Sequence, residues 1–124
     1  MPDLVAPPDI EGMVVAYLAP LIDANVGTRF PHDGEGGLVR VSAGTGSVTG
    51  MVLANPRLVV ECWGTSTVDA QGLAAAAHAH LCAWADCPPY RVTATLPVNF
   101  PDVNRPTLSR YQFLATAWTR MESL

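Results

Sequence analysis

The feature that most constrains this chain is a strand that runs almost directly into a helix. Arg57-Leu58-Val59-Val60-Glu61-Cys62-Trp63 clusters Val, Leu and Trp between Asn55-Pro56 and Gly64, the pattern of a mostly buried strand. Gly64 turns the chain, Ser66 stands where a hydroxyl caps a helix, and Asp69 follows beside the positive end of the helix dipole. The alanine-rich run beyond predicts a helix from Thr67 through Ala85, and the rest of the chain must pack around this strand-helix unit.

Two faces of that helix differ in kind. At about 100° per residue, Ala70, Leu73, Ala74, Ala77, Leu81 and Trp84 form one stripe, which belongs to the sheet and the core. Gly72, Ala75, Ala76, Ala79 and Ala83 lie on the far side, where a solvated helix carries Lys, Glu or Arg. A face so small and uncharged is a candidate subunit interface, suited to close packing by another helix of the same chain or by a second copy. Alanine's high helix propensity accounts for the same composition.

A chain of 124 residues makes one domain, residues 1–124, with room for a real core. Sparse charge beside abundant apolar residues marks it as folded rather than disordered. The net charge is −4 and every fixed cation is Arg, with no basic stripe of the kind that grips nucleic acid. Met1-Pro2-Asp3 and the prolines after it do not form a secretory signal, and no run reaches the ~20 apolar residues of a membrane span. A cytoplasmic address is therefore expected, and three cysteines without framework spacing are expected to be free thiols.

Residues 1–8 read as a flexible, proline-rich lead-in. Asp9 caps a first helix whose apolar stripe is Ile10, Met13, Val14, Tyr17, Leu18 and Leu21, kinked or ended by Pro20. Val26 to Phe30 is a short extended segment and Pro31 to Gly37 a flexible loop. Leu38 to Ala43 alternates as a half-buried strand, and Gly44 to Gly50 is a glycine-rich connection. Met51-Val52-Leu53 extends the next strand, with Asn55-Pro56 as a turn or bulge inside it.

After the long helix, Cys87-Pro88-Pro89 stops the chain, and Arg91 to Val98 alternates cleanly with Pro97 suited to an edge or strand end. Asn99 to Thr107 is a long excursion; Ser109 to Trp118 is the final strand, with Tyr111, Phe113, Ala115 and Ala117 on one face. The sum is an α+β fold: a single layer of mostly antiparallel four- to five-stranded sheet with two helices packed on one face, in the order α-β-β-α-β-β.

Motifs for chemistry are weak. Gly44-x-Gly46-x-x-x-Gly50 lacks the Lys-Ser/Thr of a P-loop and the spacing of a dinucleotide fingerprint, so it reads as a surface loop. His78, Cys82 and Cys87 fall short of a zinc set, because no Cys-x-x-Cys supplies the remaining ligands. Cys62 lies in a core strand, no serine sits in a nucleophile elbow, and the carboxylates form no recognisable pair. No catalytic residue, metal site or cofactor is expected, and an enzyme would need a constellation that only the fold assembles.

The order of segments carries more than any one residue. A capped N-terminal helix leads to Val26-Gly27-Thr28-Arg29-Phe30-Pro31, then to Leu38-Val39-Arg40-Val41-Ser42-Ala43-Gly44. Leu58-Val59-Val60-Glu61-Cys62-Trp63-Gly64 enters the Ala/His helix, and Pro101-Asp102 precedes Ser109-Arg110-Tyr111-Gln112-Phe113. From about Asp9 to Trp118 this resembles the tail terminator proteins of long-tailed phages of actinobacteria. The Gly44 to Thr49 stretch departs from the family in carrying less charge.

The resemblance implies a small subunit that forms a hexameric ring on the head-proximal end of the tail tube, ends tube growth and offers the surface joined to the head. It implies no catalytic residues. Its implied partners are other copies of the chain, the major tail tube protein and the head-tail connector, or stopper, protein. Genomic DNA would pass through without specific binding, no membrane would be involved, and the protein would reside in the virion after assembly in the host cytoplasm. Under that reading Asp33 and Glu35 in one loop, or Asp102 in another, border the channel. Another head-tail joining or tail completion protein is the nearest alternative; a small thiol-dependent enzyme using Cys62 or Cys82 with a histidine is the alternative of a different class.

Overall fold

A computed structural model describes residues 4–6, 9–29, 37–44, 47–49, 53–84 and 91–123. Asp33, Glu35 and Cys87 lie outside these residues, as does most of the Pro31 to Gly37 loop.

Helix α1 spans Ile10–Leu18, and the Asp9 carboxylate accepts from the Gly12 N–H at 3.1 Å as its cap. It buries Ile10, Val14 and Leu18 and closes at Ala19, just before Pro20, which ends the helix rather than kinking it. The expected stripe fails at its last member. Leu21 falls beyond the helix and is exposed, and Ile22 turns inward in its place.

Strand β1 (Val5–Ala6) pairs with β10 (Glu122–Ser123), so these two residues of the presumed lead-in are held by the other end of the chain. The main sheet holds β2 (Asn25–Gly27), β3 (Leu38–Ala43), β4 (Ser47–Thr49), β5 (Leu53–Asn55), β6 (Arg57–Gly64), β7 (Arg91–Ala94), β8 (Val98–Asn99) and β9 (Ser109–Arg120). Across it the order is β2, β3, β6, β9, with β7 and β8 in succession along the outer side of β9. Only β2 on β3 is parallel among the described pairs; the rest of the sheet is antiparallel, as expected of the α+β class.

Register shows which strands are continuations of others. Leu53 opposite Arg120 and Ala54 opposite Thr119 continue, without slip, the ladder from Arg57 opposite Thr116 to Gly64 opposite Ser109. Pro56 therefore interrupts this strand without bulging it against β9, and its carbonyl accepts from the Ala117 N–H at 3.0 Å. On the other side, Ala43 faces Leu58 but Ser47 faces Asn55, so the register shifts by one residue between the β3-β6 and β4-β5 ladders. The glycine-rich connection is thus corrected: Ser47–Thr49 is a strand, and β3-β4 with β5-β6 form one long hairpin.

An extra residue lies on the outer strand. Ala94 faces Ala115, whereas Val98 faces Gln112, and Thr95-Leu96-Pro97 takes up the difference. Pro97 sits in this bulge of an edge strand, where a missing N–H costs no ladder bond.

Helix α2 spans Thr67–Cys82, three residues shorter than the sequence suggested, with the Ser66 hydroxyl accepting from the Asp69 N–H at 3.1 Å. The chain enters it through a turn too tight for any side chain at Gly64. A Cβ there would lie 2.7 Å from the Ala70 nitrogen. Ala70, Ala74, Ala77 and Leu81 are buried as expected; Trp84, just past the helix, is buried too and stacks on Tyr17 at 4.8 Å.

Both helices cover one face. α2 packs on β6, β9 and β7, and α1 on β3 and β2. The core between layers joins Val39, Val41, Leu58, Val60, Cys62, Phe113, Ala115 and Ala117 of the sheet to Val14, Leu18, Ala77 and Leu81 of the helices. The Tyr17 hydroxyl donates to the His80 carbonyl at 2.8 Å and ties the helices together.

Candidate functional site

Strand alternation sends every second side chain to the helix-free face. There β3 contributes Arg40, β6 contributes Arg57, Val59, Glu61 and Trp63, and β9 contributes Arg110, Gln112, Leu114 and Thr116. The 100–108 segment folds back over part of this face. Its turn is set by Asp102, whose carboxylate accepts from the Asn104 N–H at 3.0 Å and whose carbonyl accepts from Arg105 at 3.0 Å.

The result is a chain of alternating charges over a fully buried indole. Arg40 gives Nε and Nη2 to Glu61 Oε1 at 3.0 and 2.7 Å, and Arg110 Nη1 gives to Glu61 Oε2 at 2.9 Å. Arg105 Nη1 reaches Asp102 Oδ2 at 3.1 Å, and Arg110 approaches the same oxygen at 3.9 Å. The guanidinium carbons of Arg40, Arg105 and Arg110 stand 5.0, 6.0 and 5.7 Å from the Trp63 ring, within cation-π range. Arg110 also covers Phe100 at 5.0 Å and donates through Nε to its carbonyl at 2.7 Å.

This network pins the 100–108 segment to the sheet. The Asp102 carboxylate is buried within it and held by two arginines. Burial works against its ionisation, yet the Asn104 N–H, the Arg105 hydrogen bond and the charges of Arg110 and Arg105 outweigh it and hold the carboxyl below its ordinary value.

Sequence reading missed the cluster because its members are scattered over positions 40, 61, 102, 105 and 110. One signal was present. Glu61 interrupts a buried apolar strand, and a buried carboxylate requires a partner, which the in-phase Arg40 and Arg110 of the flanking strands supply.

Beside the cluster the face is open. A hollow of about 330 Å³ is lined by Arg57, Thr93, Ala94, Thr95, Leu114 and Thr116. A second, of about 360 Å³, lies between α2 and the edge bulge, lined by Gln71, Ala75, His78, Leu96, Pro97 and Tyr111. The first offers hydroxyls and a guanidinium without a titratable base, an arrangement for contact rather than for proton transfer.

The remaining candidates fall as follows. Gly72, Ala75 and Ala79 are exposed on α2, Ala83 is exposed as its C-cap, and Ala76 is half-buried. Cys62 is sealed in the core; burial first, and the neighbouring Glu61 second, push its thiol up to about 12, so it holds its proton at neutral pH. Cys82 is exposed, with Sγ 3.9 Å from His78 Nδ1. Among the described residues no three His, Cys, Asp or Glu side chains gather as a metal set, and no helix is long and apolar enough to cross a membrane.

Comparison of the chain with protein-family models, with curated proteins and with solved structures gives no match.

Proposed function

We propose that this chain is a structural ring subunit that caps the head-proximal end of a phage tail tube. In that role it ends tube growth and supplies the surface joined to the head. Its partners are other copies of itself, the tail tube protein and the connector protein, and the genome passes through the ring without specific binding. The ring belongs to the virion and is assembled in the host cytoplasm.

The observation that carries the reading is the arrangement of elements. Capped helix, short strand β2, long hairpin, capped helix and the strands β7, β8 and β9 follow in the order on which the resemblance to tail terminators rests. The hairpin runs on past the α1-covered strand β3 into β4 and β5, an extension that burial of the helices does not require and that suits contact with a neighbour. The thiol-enzyme alternative loses Cys62, whose protonated, buried sulfur cannot serve as a nucleophile at neutral pH.

Electron microscopy of the purified protein, alone and mixed with tail tubes, tests this. The expected images are rings, and caps on one end of each tube. Tubes that keep growing with no added density at either end overturn the reading.

A further inference from the structure

Among the described side chains, the two sides carry opposite charge. Arg40, Arg57, Arg105 and Arg110 stand on the helix-free side against Glu61 and Asp102, four cations against two anions, or +2. Among the other described side chains, Asp9, Glu11, Asp23 and Asp69 stand against Arg29 alone, four anions against one cation, or −3. Neither helix contains an arginine. Asp9 and Glu11 open α1, Asp23 follows it, and Asp69 lies in the first turn of α2, with all but Glu11 exposed.

The positive side also exposes large apolar side chains, as α2 does at Val68. Val98 on β8, Phe100 just after it and Leu114 on β9 are 52%, 51% and 48% exposed. Val98 faces Gln112 across the ladder, on the side that also bears Leu114 and Arg110. Apolar side chains exposed side by side on one face mark surfaces suited to association. Here Arg57, exposed, is the one arginine of the four with no ion pair among the described residues.

We infer that the helix-free face docks on the acidic, helical side of a second copy of this chain, in a head-to-tail contact. Like faces repel and unlike faces attract, so charge alone selects the heterologous arrangement over a two-fold one. Apolar side chains on one surface need an uncharged surface opposite them, and the outward positions of α2 supply it beside Asp69. A nucleic acid fits the same face poorly. Three of its four guanidiniums are already committed to Glu61 or Asp102, leaving too few to track phosphates. The contact rests on the ring reading and gives it an interface.

Gly72 is the position from which to test it, because a side chain added there meets nothing within 4 Å. Gly72→Lys and Gly72→Glu both keep the fold, since Lys and Glu are each better helix formers than Gly. Sedimentation velocity over a concentration series, at low and high salt, reads the association. The wild-type chain is expected to associate, more weakly as salt rises. Gly72→Lys and Arg57→Glu should each weaken association about tenfold while Gly72→Glu does not, and the double variant Gly72→Lys/Arg57→Glu should regain part of the loss.

A wild-type chain that stays monomeric, equal effects of Lys and Glu at position 72, or a monomer that captures duplex DNA through Arg57 would each overturn the inference. Electron micrographs separate this from the functional reading. Rings indifferent to all of these charges would sink the contact and leave the ring, whereas open head-to-tail chains with the expected charge pattern would sink the ring and leave the contact.

Discussion

Arg110 donates to Glu61 across the β6-β9 ladder at 2.9 Å, a diagonal pair, since Glu61 lies directly opposite Gln112 and Arg110 opposite Trp63. Both side chains are nearly withdrawn from water, at 12% and 8% exposure, so removing one strands the other. Glu61→Ala is expected to cost about 3 kcal/mol, the lower part of the range for breaking a buried pair, because Arg110 keeps Asp102 and the Phe100 carbonyl. Urea unfolding measures it; a loss below about 0.5 kcal/mol, the scale of a surface change, would mean the pair is solvated.

Leu81 is fully buried between α2 and the sheet. Leu81→Ala should lower stability by about 2–5 kcal/mol, combining lost burial with the cavity left behind. The same substitution at Val68, which is 77% exposed, should change stability by less than about 0.5 kcal/mol. Equal effects at the two sites would show that the helix faces are exchanged.

Thiol chemistry should divide sharply by position. In a Cys87→Ser background at pH 8, a disulfide reagent should modify Cys82 at once and Cys62 only on unfolding. A linked pH effect follows. Unfolded Cys62 ionises near its ordinary value of 9.0 while the folded thiol stays protonated to about 12, so stability should fall as pH rises above about 9 and Cys62→Ala should remove that slope.

At the acid end, the lowered carboxyl of Asp102 favours the folded state above the unfolded value of 3.8. Its contribution should fade as pH falls through the lower folded value, releasing the 100–108 segment. Wild type should lose more of its urea midpoint than Asp102→Asn between pH 6 and pH 3. Parallel curves would place the Asp102 to Arg105 pair in open solvent.

Gly64 permits the close entry to α2, and the nearest contact for a new Cβ is backbone, which cannot swing aside. Gly64→Ala is expected to cost about 1–3 kcal/mol through overpacking. Thermal melts would register the change, and an unchanged midpoint would mean the turn relaxes freely.

The parts of this fold that were legible in sequence are those decided locally. Ser66 and Asp9 announced their caps, and the 3.6-residue spacing of Ala70, Ala74, Ala77 and Leu81 marked the buried stripe of α2. Leu21 departs from the apolar stripe because the helix closes at Ala19, before Pro20. The glycines of the Gly44 to Gly50 stretch favour a loop reading because glycine weakens strand propensity, yet within it Ser47–Thr49 pairs with Leu53–Asn55 and overrides that preference. The Trp63 cluster joins residues up to 70 positions apart, Arg40 and Arg110 among them, and only the sheet register brings them to one face.

Because β9 pairs with β5 and β6 in one unbroken register, the hairpin extension and the core share a single spine. The extension therefore has no hinge of its own on that side. A pull on its tip directed along the strands would be resisted by all the rungs of that ladder at once, in shear, instead of peeling them apart one by one. Such a lever would transmit displacement from whatever grips the tip straight to the Glu61 and Trp63 rungs, and thus to the segment those residues hold down.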